Sequence, residues 1–360
     1  MARITLENVA HSYVSQPRGA QDYALKPLNH VWEHGGAYAL LGPSGCGKTT
    51  LLNVISGLVT PSNGRVLFDG TDVTLLPTEK RNIAQVFQFP VIYDTMTVYE
   101  NLAFPLRNRG VARQRIEQRV REIAKLLDLE SSLSRKAQGL TADAKQKISV
   151  GRGLVREDVS AILFDEPLTV IDPHLKRQLR SQLKQLHHDL DLTMVYVTHD
   201  QTEALTFADQ VIVMFQGEVV QMGPPQELFE HPKHTFVGYF IGSPGMNVLP
   251  CTVEDGHAIV AGHRIAMREA AGVLPPGKLE IGIRPEFISL SDNGEGLPVR
   301  VRHVSDLGRY RIADVELRDV PLKVRVPERT AIDGDAARIV FDPAYLHLYA
   351  DGHIVARTAS

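Results

Sequence analysis

Three short runs between residues 30 and 215 are apolar throughout. Ala37-Tyr38-Ala39-Leu40-Leu41 ends at a glycine-rich turn, Ala161-Ile162-Leu163-Phe164 ends at Asp165-Glu166, and Met194-Val195-Tyr196-Val197 ends at Thr198-His199. Such runs, without alternation, predict strands buried on both faces. Amphipathic stretches lie between them. In residues 113–130, Ile116, Val120, Ile123 and Leu127 share one helical face and charges take the others. Strands alternating with helices predict an α/β domain with a mostly parallel sheet. Sheets of this kind bind ligands at the C-terminal ends of their strands, where all three runs place polar groups.

Near residue 240 the pattern changes. Short alternating strands with turn signals take over, at 279–290, 297–304, 320–326 and 337–342. They predict a small all-β unit, a barrel or sandwich. The junction is expected within Gly242-Ser243-Pro244-Gly245, where small residues and proline cluster.

Composition narrows the class. A chain of 360 residues suggests about two domains. With 43% hydrophobic and 22% charged residues, wholesale disorder is excluded. The balance of 39 Lys+Arg against 42 Asp+Glu, a net charge of -3, argues against a protein that coats nucleic acid or anionic lipid. No run of about 18 apolar residues offers a membrane span. Met1-Ala2-Arg3-Ile4-Thr5 shows no signal-peptide pattern, and Cys46 and Cys251 make neither a disulfide framework nor a zinc site. A reducing cytosol is the expected setting.

The glycine-rich turn carries the first chemistry. Gly42-Pro43-Ser44-Gly45-Cys46-Gly47-Lys48-Thr49 fits G-x-x-x-x-G-K-[ST] between a buried strand and the helical run that opens at Thr50. Glycines let the backbone curl until several N–H groups point at one phosphate, and the helix adds its positive end. Lys48 is expected to reach the β- and γ-phosphates, and the Thr49 hydroxyl to bind Mg²⁺. Cys46 reads as a small residue that fits a tight loop. Asp165 would hold the Mg²⁺ shell, and Glu166 would polarise the attacking water. His199, on a neighbouring strand end, would contact the γ-phosphate and orient that water.

Together these motifs resemble the ATP-binding subunits of ABC transporters, in particular those of bacterial carbohydrate and glycerol-phosphate importers. The resemblance covers nearly the whole chain and is strongest at GPSGCGKTTLLNVISGL (42–58), VFQ (86–88), ILFDEPL (162–168), VTHDQTEAL (197–205) and FIGSPGMNVL (240–249). It implies a P-loop ATPase domain over 1–240 with a helical subdomain at about 90–155. An OB-type regulatory domain would follow over 241–360. It further implies that Tyr13 stacks on adenine, that Gln88 senses Mg²⁺ and γ-phosphate, and that Asp172 lies in the loop crossing to a partner ATPase. The segment Phe89-Pro90-Val91-Ile92-Tyr93 matches the neighbourhood that receives a helix of the membrane subunit.

One motif departs from the family. The signature L-S-G-G-Q, which faces the γ-phosphate held by the other subunit, is replaced here by Leu140-Thr141-Ala142-Asp143-Ala144. Thr141 keeps a hydroxyl able to cap the helix. Asp143 falls in the first turn, where a carboxylate suits the helix end but repels phosphate, at a cost on the order of several kcal/mol in a partly desolvated site. The expectation is therefore a pairing with a second, non-identical ATPase, with a homodimer as the competitor.

The implied function is ATP hydrolysis that energises an importer for a sugar, polyol or glycerol-phosphate-like solute. ATP and Mg²⁺ are the expected cofactors. Transmembrane permease subunits are the expected partners, with an external solute-binding protein acting indirectly, and the expected place is the cytoplasmic face of the inner membrane. A non-hydrolysing scaffold is the alternative. A soluble ATPase acting on nucleic acid or ribosomes fits less well, because there is one phosphate loop and no basic tail.

Overall fold

The computed structural model describes residues 2–169, 171–190, 192–267, 274–291, 294–328 and 337–355. Its contacts divide the chain into two units, 1–225 and 226–360.

Unit 1 begins with β1 (Ile4–His11), β2 (Leu25–Trp32) and β3 (Ala37–Leu41), and then α1 (Lys48–Ser56). There follow β4 (Asn63–Phe68), β5 (Thr71–Asp72) and β6 (Ile83–Val86), and then α2 (Val98–Arg107), α3 (Arg113–Leu126) and α4 (Ala142–Leu154). The unit closes with β7 (Ala161–Asp165), α5 (Pro173–Leu190), β8 (Met194–Thr198), α6 (Gln201–Phe207), β9 (Gln210–Phe215) and β10 (Glu218–Gly223). Six strands form one sheet in the order β10-β9-β3-β8-β7-β6. All its pairings are parallel except β9 with β10. Every residue of β3, β7 and β8 is buried. That accounts for their unbroken apolar character, since both faces of the sheet are covered.

A second, antiparallel sheet, β2-β1-β4-β5, shares a core with the first. Its strands alternate less cleanly, and the sequence reading did not single them out. The helices α2, α3 and α4 pack on one another. Gly151 permits their approach, because a Cβ there would lie 2.6 Å from a methyl of Leu102 and 3.0 Å from one of Leu127. The expected apolar stripe of α3 is buried at Ile116, Val120 and Ile123.

Unit 2 carries the helices Pro225–Glu230 and Thr235–Phe240 ahead of small antiparallel sheets. The contacts thus divide the chain earlier than the junction expected at 242–245. The physical reason lies in Arg284, whose guanidinium donates to the carbonyls of Phe229, Gly238 and Ile241 and so ties these helices to the β-rich unit. The expected strand at 279–290 is two, Leu279–Ile283 and Ile288–Ser291, separated by a turn at Pro285. Its core gathers Leu249, Ile281, Ile283, Val315, Val324, Ile339 and Phe341. Among the described residues no helix is long and apolar enough to cross a membrane.

His30, against the face of Trp32 at 5.4 Å, is pushed down to a pKa of about 4 by burial. Its ordinary value is 6.5. Unfolding lets it bind a proton that the folded state refuses, so its contribution is complete above pH 6.5 and is lost as pH falls toward 4. Trp32 is the only tryptophan. Its fluorescence should report an unfolding midpoint that drops between these pH values, and a His30→Phe variant should lose part of that slope. An unchanged slope in the variant would refute the assignment.

A nucleotide site at three strand ends

Parallel register builds the site. Leu41 at the end of β3 pairs with Thr198 at the end of β8, and Asp165 at the end of β7 pairs with Val197. Three adjacent strands therefore end level, and the residues that follow them converge. These are the loop opening at Gly42, the pair Asp165-Glu166, and His199.

The loop runs from Gly42 into α1. Gly47 caps that helix with φ 102°. A Cβ there would also lie 2.4 Å from the Ala24 carbonyl oxygen, so only glycine fits on both counts. Lys48 is buried, and its ammonium donates to the carbonyl oxygens of Gly42 and Pro43, each at 2.9 Å. Cys46 Sγ lies 3.8 Å from the same Nζ. Burial pushes the Cys46 thiol up, against the pull of Lys48, so it stays a neutral packing group.

The carboxylates stand opposite. Thr49 Oγ1 donates to Asp165 Oδ1 at 3.2 Å. Burial raises the Asp165 pKa above its usual value, and the Thr49 hydrogen bond works against that rise. Glu166 adopts a left-handed backbone, φ 46°, and its N–H bonds the Val197 carbonyl at 3.0 Å. A non-glycine residue held there stores about 1–3 kcal/mol, as functional positions often do. The Glu166 carboxylate meets His199 Nδ1 at 3.1 Å and the Thr169 hydroxyl at 3.4 Å. A cavity of about 410 Å³ is lined by Tyr13, Ala24, Ser44, Gly45, Gly47, Lys48, Thr49, Thr50 and Glu166. Tyr13 is 65% exposed and its hydroxyl lies 3.2 Å from Thr50 Oγ1. An aromatic face is thus held over an open phosphate loop.

The remaining expected residues lie apart. Gln88 is half-buried just beyond β6 and does not line this cavity. Asp172 caps the start of α5, its Oδ1 accepting the His174 N–H at 2.9 Å. Thr141 is the N-cap of α4 and accepts from the Ala144 N–H at 3.3 Å, with Ala142 exposed beside it. One Asp143 oxygen is shielded from solvent without a hydrogen-bond partner. The sequence reading passed over Glu203, a buried carboxylate that takes hydrogen bonds from Tyr196 and Thr198. Its signal was an acid one helical turn after a strand end, inside the stretch 197–205. A second concavity, about 700 Å³, is lined by Arg177, Arg180 and Lys184 and by Asp209. It sits at the opposite ends of the strands, where the Ala37 N–H meets Asp209.

Comparison with known proteins places this geometry. The ABC transporter family matches residues 25–169, the MalK OB fold domain 242–288, and the TOBE domain 281–348. The sn-glycerol-3-phosphate import ATP-binding protein UgpC of Psychromonas ingrahamii is 37% identical over 97% of this chain and 94% of its own length. The protein of that name from Paracoccus denitrificans is 38% identical over 97% of both chains. The ATP-binding cassette MJ0796, solved as a dimer with ADP and Pi, superimposes with a TM-score of 0.55 at 28% identity, covering 62% of this chain and 98% of its own. The chain belongs to the ATP-binding proteins of the ABC transporter family, ATPases coupled to solute transport, with an OB-type and TOBE region after the cassette.

Proposed function

We propose that this chain is the ATP-hydrolysing subunit of an importer for a sugar, polyol or glycerol-phosphate-like solute. The observation that carries the hydrolytic part is the Glu166–His199 pair, held 3.1 Å apart beside the phosphate loop. The names of the relatives, which specify sn-glycerol-3-phosphate import, support the solute class. In this reading the cassette spans 1–240, with its helical subdomain at about 90–155, and the regulatory domain spans 241–360.

The roles follow from the chemistry of each position. Tyr13 stacks on the adenine. The amides of Gly42 to Thr50 cradle the phosphates, and Lys48 exchanges its loop carbonyls for β- and γ-phosphate oxygens. Thr49, Asp165 and Gln88 are the residues that would hold Mg²⁺. The fit is good at Thr49 and Asp165, where a hydroxyl meets a buried carboxylate whose raised pKa a cation would relieve. Bound there, the ion would neutralise charge developing on the phosphates. Glu166 accepts a proton from the attacking water, and His199 orients it toward the γ-phosphorus. The bond to the β-phosphate oxygen breaks and ADP leaves. Catalysis of this type is mostly positioning and charge stabilisation, which suits a rigid, level site.

Closure of two cassettes would move helices of transmembrane permease subunits at the cytoplasmic face of the inner membrane. A groove of about 280 Å³ lined by Phe87, Val91, Phe104 and Arg152 is the proposed seat of such a helix. Phe89 is exposed at its edge, and Arg152 lies over the Tyr93 ring at 4.8 Å. An external solute-binding protein acts through the permease. The C-terminal domain adds dimer contacts or binds a regulator.

The partner cassette is a separate matter. Asp143 in the signature position favours a second, non-identical ATPase, because a homodimer would set a carboxylate against γ-phosphate at both sites. The relatives lend that pairing no support. Asp143 is also what favours the second reading, a non-hydrolysing scaffold.

Glu166→Gln should lower steady ATPase turnover of the assembled transporter by about 10²-fold or more. Undiminished turnover would sink the hydrolytic reading. The mass of the same variant in solution, with and without ATP-Mg²⁺, decides the pairing. An ATP-dependent dimer would show that Thr141-Ala142-Asp143 tolerates γ-phosphate, whereas a monomer that binds ATP would point to a non-identical partner. Tyr13→Ala should weaken ATP binding by about tenfold, the loss of one stacking contact. Equal affinity would remove Tyr13 from the site.

A further inference from the structure

Glu203 does no work in the scheme above, yet its surroundings are specific. It is 5% exposed, in the first turn of α6. Oε2 accepts from Thr198 Oγ1 at 2.8 Å and from the Tyr196 hydroxyl at 3.2 Å. Thr198 Oγ1 in turn accepts the Asp200 N–H at 3.0 Å. Both residues flanking His199 are therefore fastened, through one hydroxyl, to one carboxylate. On its other side Oε1 faces Lys176 Nζ at 3.8 Å. Lys176 belongs to the first turn of α5, where its N–H bonds the Asp172 carbonyl at 2.8 Å.

Capping does not explain this residue. Asp200 already caps α6, accepting the N–H groups of Thr202 at 2.7 Å and Glu203 at 3.4 Å. Net stability is a poor explanation too, since burying a carboxylate with a lysine costs about what it returns. What such a network does supply is one fixed geometry. Burial and the neighbouring Glu203 charge keep the Tyr196 phenol protonated, and so a donor.

We infer that Glu203 is a positioning residue for His199, and that through Lys176 it joins the strand end carrying His199 to the helix that begins after Asp172. This rests on the reading of His199 as the group that orients the attacking water. Without Glu203, the turn after β8 keeps its helix cap but loses the anchor of Thr198. His199 then samples positions off the Glu166 carboxylate, while the phosphate loop is unaltered. The defect belongs to turnover and not to nucleotide binding.

The test compares ATP hydrolysis by the full chain, assembled with its membrane subunits, in a set of variants. Glu203→Ala should lower kcat by about 10- to 100-fold, the scale set by misplacing a catalytic group by about 1 Å, with KM for ATP within about twofold of wild type. Thr198→Val should follow it, and Thr198→Ser should restore wild-type kcat. In a His199→Ala background, Glu203→Ala should cost nothing further, because the group it positions is gone. Additive losses in the double variant, an unchanged kcat in Glu203→Ala, or a raised KM with kcat kept would each overturn the inference. If the alanine variant does not assemble, Glu203→Gln and Thr198→Val carry the same comparison at nearly constant volume. A His199→Ala variant with wild-type kcat would instead overturn the reading of His199, and this inference with it.

Discussion

The site depends on the register of three parallel strands. Leu41 level with Thr198, and Asp165 level with Val197, bring the phosphate loop, the acidic pair and the histidine to one edge of the sheet. A slip of one residue would turn every side chain of a strand to the opposite face. The buried apolar runs that hold this register leave little room for such a slip, since each strand is packed on both sides. Core packing and chemistry are in this sense one constraint, with hydrophobic residues fixing the strands and polar residues occupying the ends.

Electrostatics then sorts the groups. Lys48 and Asp165 are both buried polar groups, the one satisfied by its own loop and the other by Thr49. Glu166 is less enclosed and faces His199. Two adjacent carboxylates thus meet different surroundings, one suited to a cation and the other to a proton. A shared environment would have pushed them toward a shared role.

Much of this was legible in the sequence, for identifiable reasons. Unbroken apolar runs marked β3, β7 and β8, because burial on both faces leaves no polar period to confuse the reading. The phosphate loop was legible because its glycines answer to backbone geometry, as Gly47 does at φ 102° beside the Ala24 carbonyl. The antiparallel sheet β2-β1-β4-β5 was harder. Its strands carry polar residues on an exposed face, and register shifts interrupt β1 against both neighbours. Proline broke an expected strand at Pro285, a local rule read too weakly. Glu203 was out of reach for another reason. Its importance lies in contacts with Thr198 and Lys176 that exist only once β8, α6 and α5 are packed. Asp143 was legible as a departure, but only its surroundings show an oxygen turned out of solvent.

The Lys48 ammonium already has partners in its own loop, the carbonyls of Gly42 and Pro43. Those carbonyls act as a resident competitor for every nucleotide that arrives. Each phosphate gained is a swap and not a net addition, so part of the attraction is cancelled before it can appear as affinity. The same two oxygens receive the ammonium when spent nucleotide departs, which lowers the cost of letting go. A loop built in this way favours exchange over retention, as a motor that must release its product on every stroke requires.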